Sequence, residues 1–210
     1  MNHIITISRQ FGSGGREIGR RLAKELGYAY YDRQLVIELA ERTDLAEDYL
    51  QRIDQMDPVP IMPMTFASTF TQSFDPMVDM SQDIYHKQSE LIRELAERGD
   101  CVIVGRTADY ILKENHPLRL FIVADDGFRM DRCRLKGQVP DDMTDKQLWK
   151  EIRTIDKRRG RYYEFYTGQT WGEATNYDVV INTGQIGVDR AIEMIKHLVL
   201  HWNGENEGSR

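Results

Sequence analysis

The chain is poor in several things, and each absence removes a class of function. It has two cysteines in 210 residues, Cys101 and Cys133, so at most one disulfide is possible. Cys101 lies in a strand-like apolar run and Cys133 on a helical stretch. Both read as reduced thiols, as expected of a cytoplasmic protein. No apolar run approaches the ~20 residues that span a membrane. The first residues already follow a strand pattern, with no signal-peptide pattern ahead of them. Basic residues are not in excess: 28 Lys and Arg stand against 34 Asp and Glu, a net charge of −6. That balance excludes the basic footprint of a general nucleic-acid binder. The histidines (His3, His86, His116, His197, His201) are scattered without metal-ligand spacing. There is no G-x-S-x-G and so no nucleophile elbow. No internal repeat or low-complexity segment is present.

What is there begins at once. His3–Asp32 reads HIITISRQFGSGGREIGRRLAKELGYAYYD. An apolar strand pattern (Ile4, Ile5, Ile7) runs into Gly12-Ser13-Gly14-Gly15. An amphipathic helix follows, with Ile18, Leu22 and Leu26 on one stripe and Gly27 as its stop. A short second strand, Tyr28–Tyr31, ends at Asp32. Strand, glycine loop, helix, strand is the unit that holds phosphate at a helix N-terminus. The usual phosphate loop is G-x-x-x-x-G-K-[ST], and this one has no Lys. It is not a dinucleotide fingerprint either, because Glu17 stands where the third glycine would fall and Asp32 comes too soon.

Strands and helices alternate along the rest. Helices are predicted near Arg33–Arg42 and Ser81–Arg98, over Gly127–Lys136, from Asp142 or Thr144 to about Arg159 (Leu148, Ile152 and Ile155 inward), and over Val188–Trp202. Strands are predicted at Cys101–Val104, Leu118–Ala124 and Tyr177–Asn182. Five short strands joined by helices argue for an α/β fold with a doubly wound parallel sheet. Two stretches interrupt the alternation. Asp54–Asp79, with four prolines and many Met and Phe residues, reads as a long functional loop or a homodimer contact. Asp156–Asn176 concentrates Lys157, Arg158, Arg159 and Arg161, and reads as a mobile basic lid with Gly160 and Gly168 as hinges.

The candidate chemistry follows from this placement. Gly12, Ser13, Gly14 and Gly15 could form a backbone nest for phosphate. Arg16 sits at a helix start, where a cation is tolerable if an anion is bound. Arg9, just before the loop, could reach the same phosphates. Glu17 is either a partner of the helix dipole or a Mg²⁺ ligand. Arg106 follows the Cys101–Val104 strand, on the edge where open α/β sheets bind ligands. It would grip a phosphate or pair with Asp32 or Asp109. Asp32 could orient substrate, relay a proton, touch Mg²⁺ through water or cap a helix. Arg153, Lys157 and Arg161 recur at i, i+4, i+8, with Arg158 beside them, and could close over phosphates.

These blocks together resemble the cytidylate-kinase-like family of P-loop proteins. The resemblance rests on ISRQFGSGGREIGRRLAKELGYAYYDRQLV, CVIVGRTADYIL, LRLFIVADDGFRMDRC and DKRRGRYYEFYTGQTWGEATNYDVVINT, in that order, over about Asn2 to Leu200. It implies a P-loop three-layer α/β/α fold with a five-stranded parallel sheet. The domain would cover residues 1–202, with an acceptor-side insertion near 43–98, a lid near 153–176 and a polar tail at 203–210. It implies transfer of the γ-phosphoryl of ATP, with Mg²⁺, to a nucleoside monophosphate or similar phosphate-bearing acceptor, and no nucleic-acid or membrane partner. Arg106 matches the arginine that grips the acceptor phosphate. Arg16, Asp32, Arg106, Arg153, Lys157, Arg158 and Arg161 form the candidate catalytic set; Arg9, Gly12–Glu17 form the nucleotide site. The chain departs from the pattern at Gly15, where the loop Lys should be, and at Glu17, where a Ser/Thr holds Mg²⁺. The alternative expectation is a nucleotide-binding regulatory protein without turnover.

Overall fold

The computed structural model describes residues 2–32, 76–140 and 142–201. Strands β1 (Ile4–Arg9), β2 (Ala29–Tyr31), β3 (Cys101–Val104), β4 (Leu118–Val123) and β5 (Val179–Asn182) form one sheet in the order β2-β3-β1-β4-β5. Every pairing is parallel, with Ile7 opposite Val104 on one side and Leu120 on the other. The sequence favours this: β3 and β4 are nearly all apolar, as strands covered on both faces must be, and β1 is buried at every residue but Arg9.

Alternate residues feed two cores. Ile5, Ile7, Val102 and Val104 face helices α1 (Gly15–Leu26) and the C-terminal helix, burying Ile18, Leu22, Ile192 and Ile195. Ile4, Cys101 and Ile103 face the other layer, where α2 (Pro76–Glu97) brings Ile92 and Ala96, and α3 (Ala108–Ile111) brings Ala108 and Ile111. The remaining helices are α4 (Asp126–Leu135), α5 (Asp145–Thr167), α6 (Thr183–Ile186) and α7 (Val188–Leu200). Helices on both faces of a five-stranded parallel sheet make the expected three-layer α/β/α architecture. Both cysteines are free and buried. Among the described residues, no helix is long and apolar enough to cross a membrane.

Some boundaries differ from the sequence reading. The expected loop through Asp79 ends earlier, because Pro76 opens α2; proline suits a first helical turn, where its missing N–H has no partner to lose. Thr144, not Asp142, caps α5, in a reciprocal box with Gln147. The four-residue helices α3 and α6 are too short to show a periodic pattern. The helix predicted over Arg33–Arg42, the Met/Phe-rich segment offered as a dimer contact and the tail at 203–210 lie outside the described residues, apart from the 76–79 end of that segment.

Strand β1 sits where the order reverses, with β3 on one side and β4 on the other. The crevice of an open α/β sheet lies at such a switch point, beyond the C-terminal strand ends. The glycine loop, Arg106 and the start of α6 all follow strands at that edge.

Candidate active site

The glycine loop is built by left-handed backbone and braced from both sides. Gly12 and Gly14 have φ of 79° and 88°. The Ser13 amide and hydroxyl both donate to the Gln10 carbonyl, at 3.4 and 2.8 Å. Gln10 is itself tied to β4: its amide donates to the Ile122 carbonyl, and its side chain accepts from the Ala124 amide. From α6, Thr183 Oγ1 donates to the Ser13 carbonyl at 2.6 Å. Gly14 caps α1 without any side-chain bond to the first-turn amides, which leaves those donors for an anion. A Cβ on Gly12 would lie 2.7 Å from the Arg129 carbonyl. Gly12→Ala therefore has both a collision and the wrong φ, and we expect it to cost about 1–3 kcal/mol, read from the urea midpoint.

Three guanidiniums gather behind this loop. Arg9 ends β1, and its side chain runs over Gly15 and Gly105. Among the described residues it has no hydrogen-bonding or salt-bridge partner for its guanidinium, while burial and then the charges of Arg159 and Arg106 pull its pKa well below the ordinary arginine value. Arg159, from α5, donates to the Arg9 carbonyl at 3.0 Å, and burial lowers its pKa to about 10 against the opposing pull of Asp156. Arg106 and Thr107 are consecutive non-glycine residues in left-handed backbone, with φ of 62° and 52°. Such strain persists only where surrounding structure holds it. Here Gln88 of α2 does so: its amide donates to the Tyr162 hydroxyl at 3.0 Å and accepts from Arg106 Nη1 at 3.4 Å. Pairing of Arg106 with Asp32 or Asp109 is not what the structure shows. Among the described residues it makes no salt bridge, and Asp109 instead accepts from the Tyr163 hydroxyl at 2.7 Å.

The first turn of α1 carries its own counterions. Arg16 lies 2.7 Å from Asp32, whose carboxylate also accepts from the Tyr30 hydroxyl at 3.2 Å. The anion that makes a cation tolerable at this helix start is thus Asp32. Burial, then Asp32, pushes the Tyr30 pKa up to about 12. Glu17 faces Arg132, with Lys136 at 3.2 Å and Arg21 at 3.6 Å. Partial burial raises its pKa, but the bonds from Arg132 and Lys136 outweigh that and hold it below the ordinary value. Among the described residues no three His, Cys, Asp or Glu side chains group to hold a metal. The described residues therefore form no protein cage for Mg²⁺. Because Glu17's folded pKa is depressed, its stabilisation is present above the ordinary glutamate range and is lost as pH falls through the folded value. Glu17→Gln should lower stability by on the order of 1 kcal/mol at pH 7, with the gap from wild type closing below about pH 4, as urea melts at both pH values will show.

Residues 4–185 match the cytidylate kinase-like family. The chain belongs to that family. It is 25% identical over 187 residues to the cytidylate kinase of Methanoregula boonei, spanning 88% of this chain and 87% of that one. It is likewise 25% identical over 206 residues to the cytidylate kinase of Desulfurococcus amylolyticus, spanning 98% and 97%. A crystal structure of an uncharacterized protein from Eubacterium ventriosum superposes with a TM-score of 0.71 at 27% identity, covering 95% of this chain and 99% of that one. The shikimate kinase of Bacteroides thetaiotaomicron shares the fold, with a TM-score of 0.57 at 13% identity over 95% and 99%. The family and its kinase relatives support a phosphotransferase and do not favour the regulatory alternative.

Against that family background, α5 differs from the sequence reading in which face it turns inward. Arg153, Lys157, Arg158 and Arg161 are exposed, and Arg153 lies over the Trp149 ring. Nothing brings Arg153, Lys157 or Arg161 to the glycine loop among the described residues. The inward residues are Asp156, Arg159 and Tyr163. Asp156 accepts from the Phe11 amide of the loop at 2.7 Å and pairs with buried Arg129, whose Nε donates back to the Phe11 carbonyl at 2.7 Å. Sequence reasoning passed over Asp156 and Arg129 and kept Arg159 out of the candidate set. The signal was available: the inward stripe Leu148–Ile152–Ile155, continued at helical spacing, reaches Arg159. Nor is Gly160 a break in this conformation. The helix runs through it to Gly168, which caps it in left-handed backbone, and Gly160 packs against Trp171.

Proposed function

We propose that this chain moves the γ-phosphoryl of ATP to a nucleoside monophosphate or a similar small phosphate-bearing acceptor. The observation that carries the reading is the gathering of Arg9, Arg106 and Arg159 at the C-terminal sheet edge, beside a glycine loop with uncapped first-turn amides. Asp156, 3.6 Å from Arg159, and the charge of Asp32 offset part of this like charge, and a bound anion would offset more of it. A polyphosphate on the loop amides and a second phosphate at Arg106 would supply two.

Phosphoryl transfer asks little covalent work of a protein and much positioning and charge neutralisation. In this reading an acceptor phosphate oxygen bonds to the γ-phosphorus, and the bond from that phosphorus to the β–γ bridging oxygen breaks, its electron pair leaving with ADP. The loop amides and Arg9 hold the donor, Arg106 orients the acceptor, and Arg159 fixes the backbone of Arg9. Mg²⁺, when it accompanies ATP, would add charge neutralisation at the phosphates. The test is a coupled ADP-release assay with ATP and Mg²⁺ across nucleoside monophosphates, nucleosides and small metabolites. Turnover with a phosphate-bearing acceptor is the expected result; no turnover with any acceptor contradicts the reading.

A further inference from the structure

The loop has lost its lysine, and the structure shows what stands in that space. In the common pattern G-x-x-x-x-G-K-[ST], a lysine follows the second glycine and reaches the β- and γ-phosphates. With Gly14 as that second glycine, the pattern asks for glycine at position 9 and lysine at position 15. This chain has the reverse, Arg9 and Gly15.

The exchange is sterically linked. A Cβ on Gly15 would lie 2.6 Å from the Cβ of Arg9 and 3.0 Å from its Cγ. Two side chains cannot share that space, so a residue with a side chain at 9 requires glycine at 15 in this loop conformation. Further along, a Cβ on Gly105 would collide with Arg9 Nη1. Two glycines from separate segments thus clear a path for a single side chain. That path ends beside Arg106, and Arg159 grips the Arg9 carbonyl at its start. The Arg9 guanidinium has no bonding partner among the described residues, unlike Arg16, which is paired with Asp32. Arg16 is nearer the missing lysine in sequence, yet its charge is already committed.

We infer that Arg9 takes the place of the loop lysine, delivering the donor-phosphate cation from the end of β1 instead of from the start of α1. The inference rests on the nucleotide-binding reading above. A planar guanidinium can engage phosphate through paired N–H bonds where a lysine offers a point charge, so the substitution changes geometry while keeping the charge.

The test is calorimetric binding of a non-hydrolysable ATP analogue, with thermal unfolding as a check on the fold. Arg9→Met keeps the aliphatic stem across Gly15 and removes the charge. It should weaken binding at least about tenfold without lowering the unfolding midpoint, since a like-charge neighbour of Arg106 and Arg159 is gone. The reciprocal exchange, Arg9→Gly with Gly15→Lys, should recover most of the affinity that Arg9→Gly alone loses. Unchanged affinity in Arg9→Met overturns the inference alone. A folded exchange variant that binds no better than Arg9→Gly also overturns it. Wild-type protein that binds no adenine nucleotide overturns both the inference and the reading beneath it.

Discussion

Arg106→Met should cut kcat/KM for the phosphate-bearing acceptor by roughly a hundredfold, which is the loss of about 3 kcal/mol, the upper end for a charge-assisted bond. The affinity for an ATP analogue should change far less. Arg106 follows β3, beyond Gly105, and Gln88 and Tyr162 hold it against the strain of its left-handed backbone. On the proposed reading, substitution removes the charge that meets the acceptor and leaves the loop amides and Arg9 in place. Steady-state kinetics with each substrate varied in turn, together with calorimetry of the analogue, will separate the two sites. Equal loss for donor and acceptor would contradict the assignment of Arg106 to the acceptor side.

Asp156→Ala should be the most destabilising change at the site, by about 3–5 kcal/mol. Arg129 is 4% exposed, and Asp156 is its bonded carboxylate; the other nearby acid, Asp126, is 3.8 Å away and itself largely exposed. Removing Asp156 strands a buried charge and leaves the Phe11 amide without its acceptor. It also removes the carboxylate 3.6 Å from Arg159. The loop should loosen along with the fold, so analogue affinity should fall in parallel with the denaturation midpoint. Asp156→Asn retains an acceptor for the Phe11 amide and should lose less. If Asp156→Ala unfolds at the wild-type urea concentration, the buried pair is not what anchors α5 to the loop.

The fold was legible because its signals are local and strong. β3 and β4 are apolar runs, as a doubly covered sheet requires, and Ile18 and Leu22 recur at helical spacing on α1. The glycine loop was legible for the same reason, since glycines after a strand and before a helix have a narrow set of uses. The partners within the site were less so. The pairing of Arg16 with Asp32 joins the start of α1 to the residue after β2, and that of Arg132 with Glu17 joins residues over a hundred positions apart. Charged residues on α5 also misled. The i, i+4, i+8 series of Arg153, Lys157 and Arg161 marks a regular face, but such a face is the solvated one when the apolar stripe lies elsewhere. The inward face carries a partly buried acid and a partly buried arginine, and periodicity gives no reason to favour them until an anchoring loop is seen opposite. The steric exchange between Arg9 and Gly15 depends on a distance between Cβ positions, which no linear pattern contains.

The central claim is that a phosphoryl group passes from ATP to an acceptor on this chain, and phosphorus NMR follows that group directly. With ATP, Mg²⁺ and a panel of nucleoside monophosphates, the account predicts that the γ-resonance declines as ADP and a new phosphoanhydride resonance of the acceptor appear in step, and that Arg106→Met slows the exchange roughly a hundredfold at low acceptor concentration. An ATP spectrum that stays unchanged with every acceptor, or one that yields only ADP and inorganic phosphate, would contradict it.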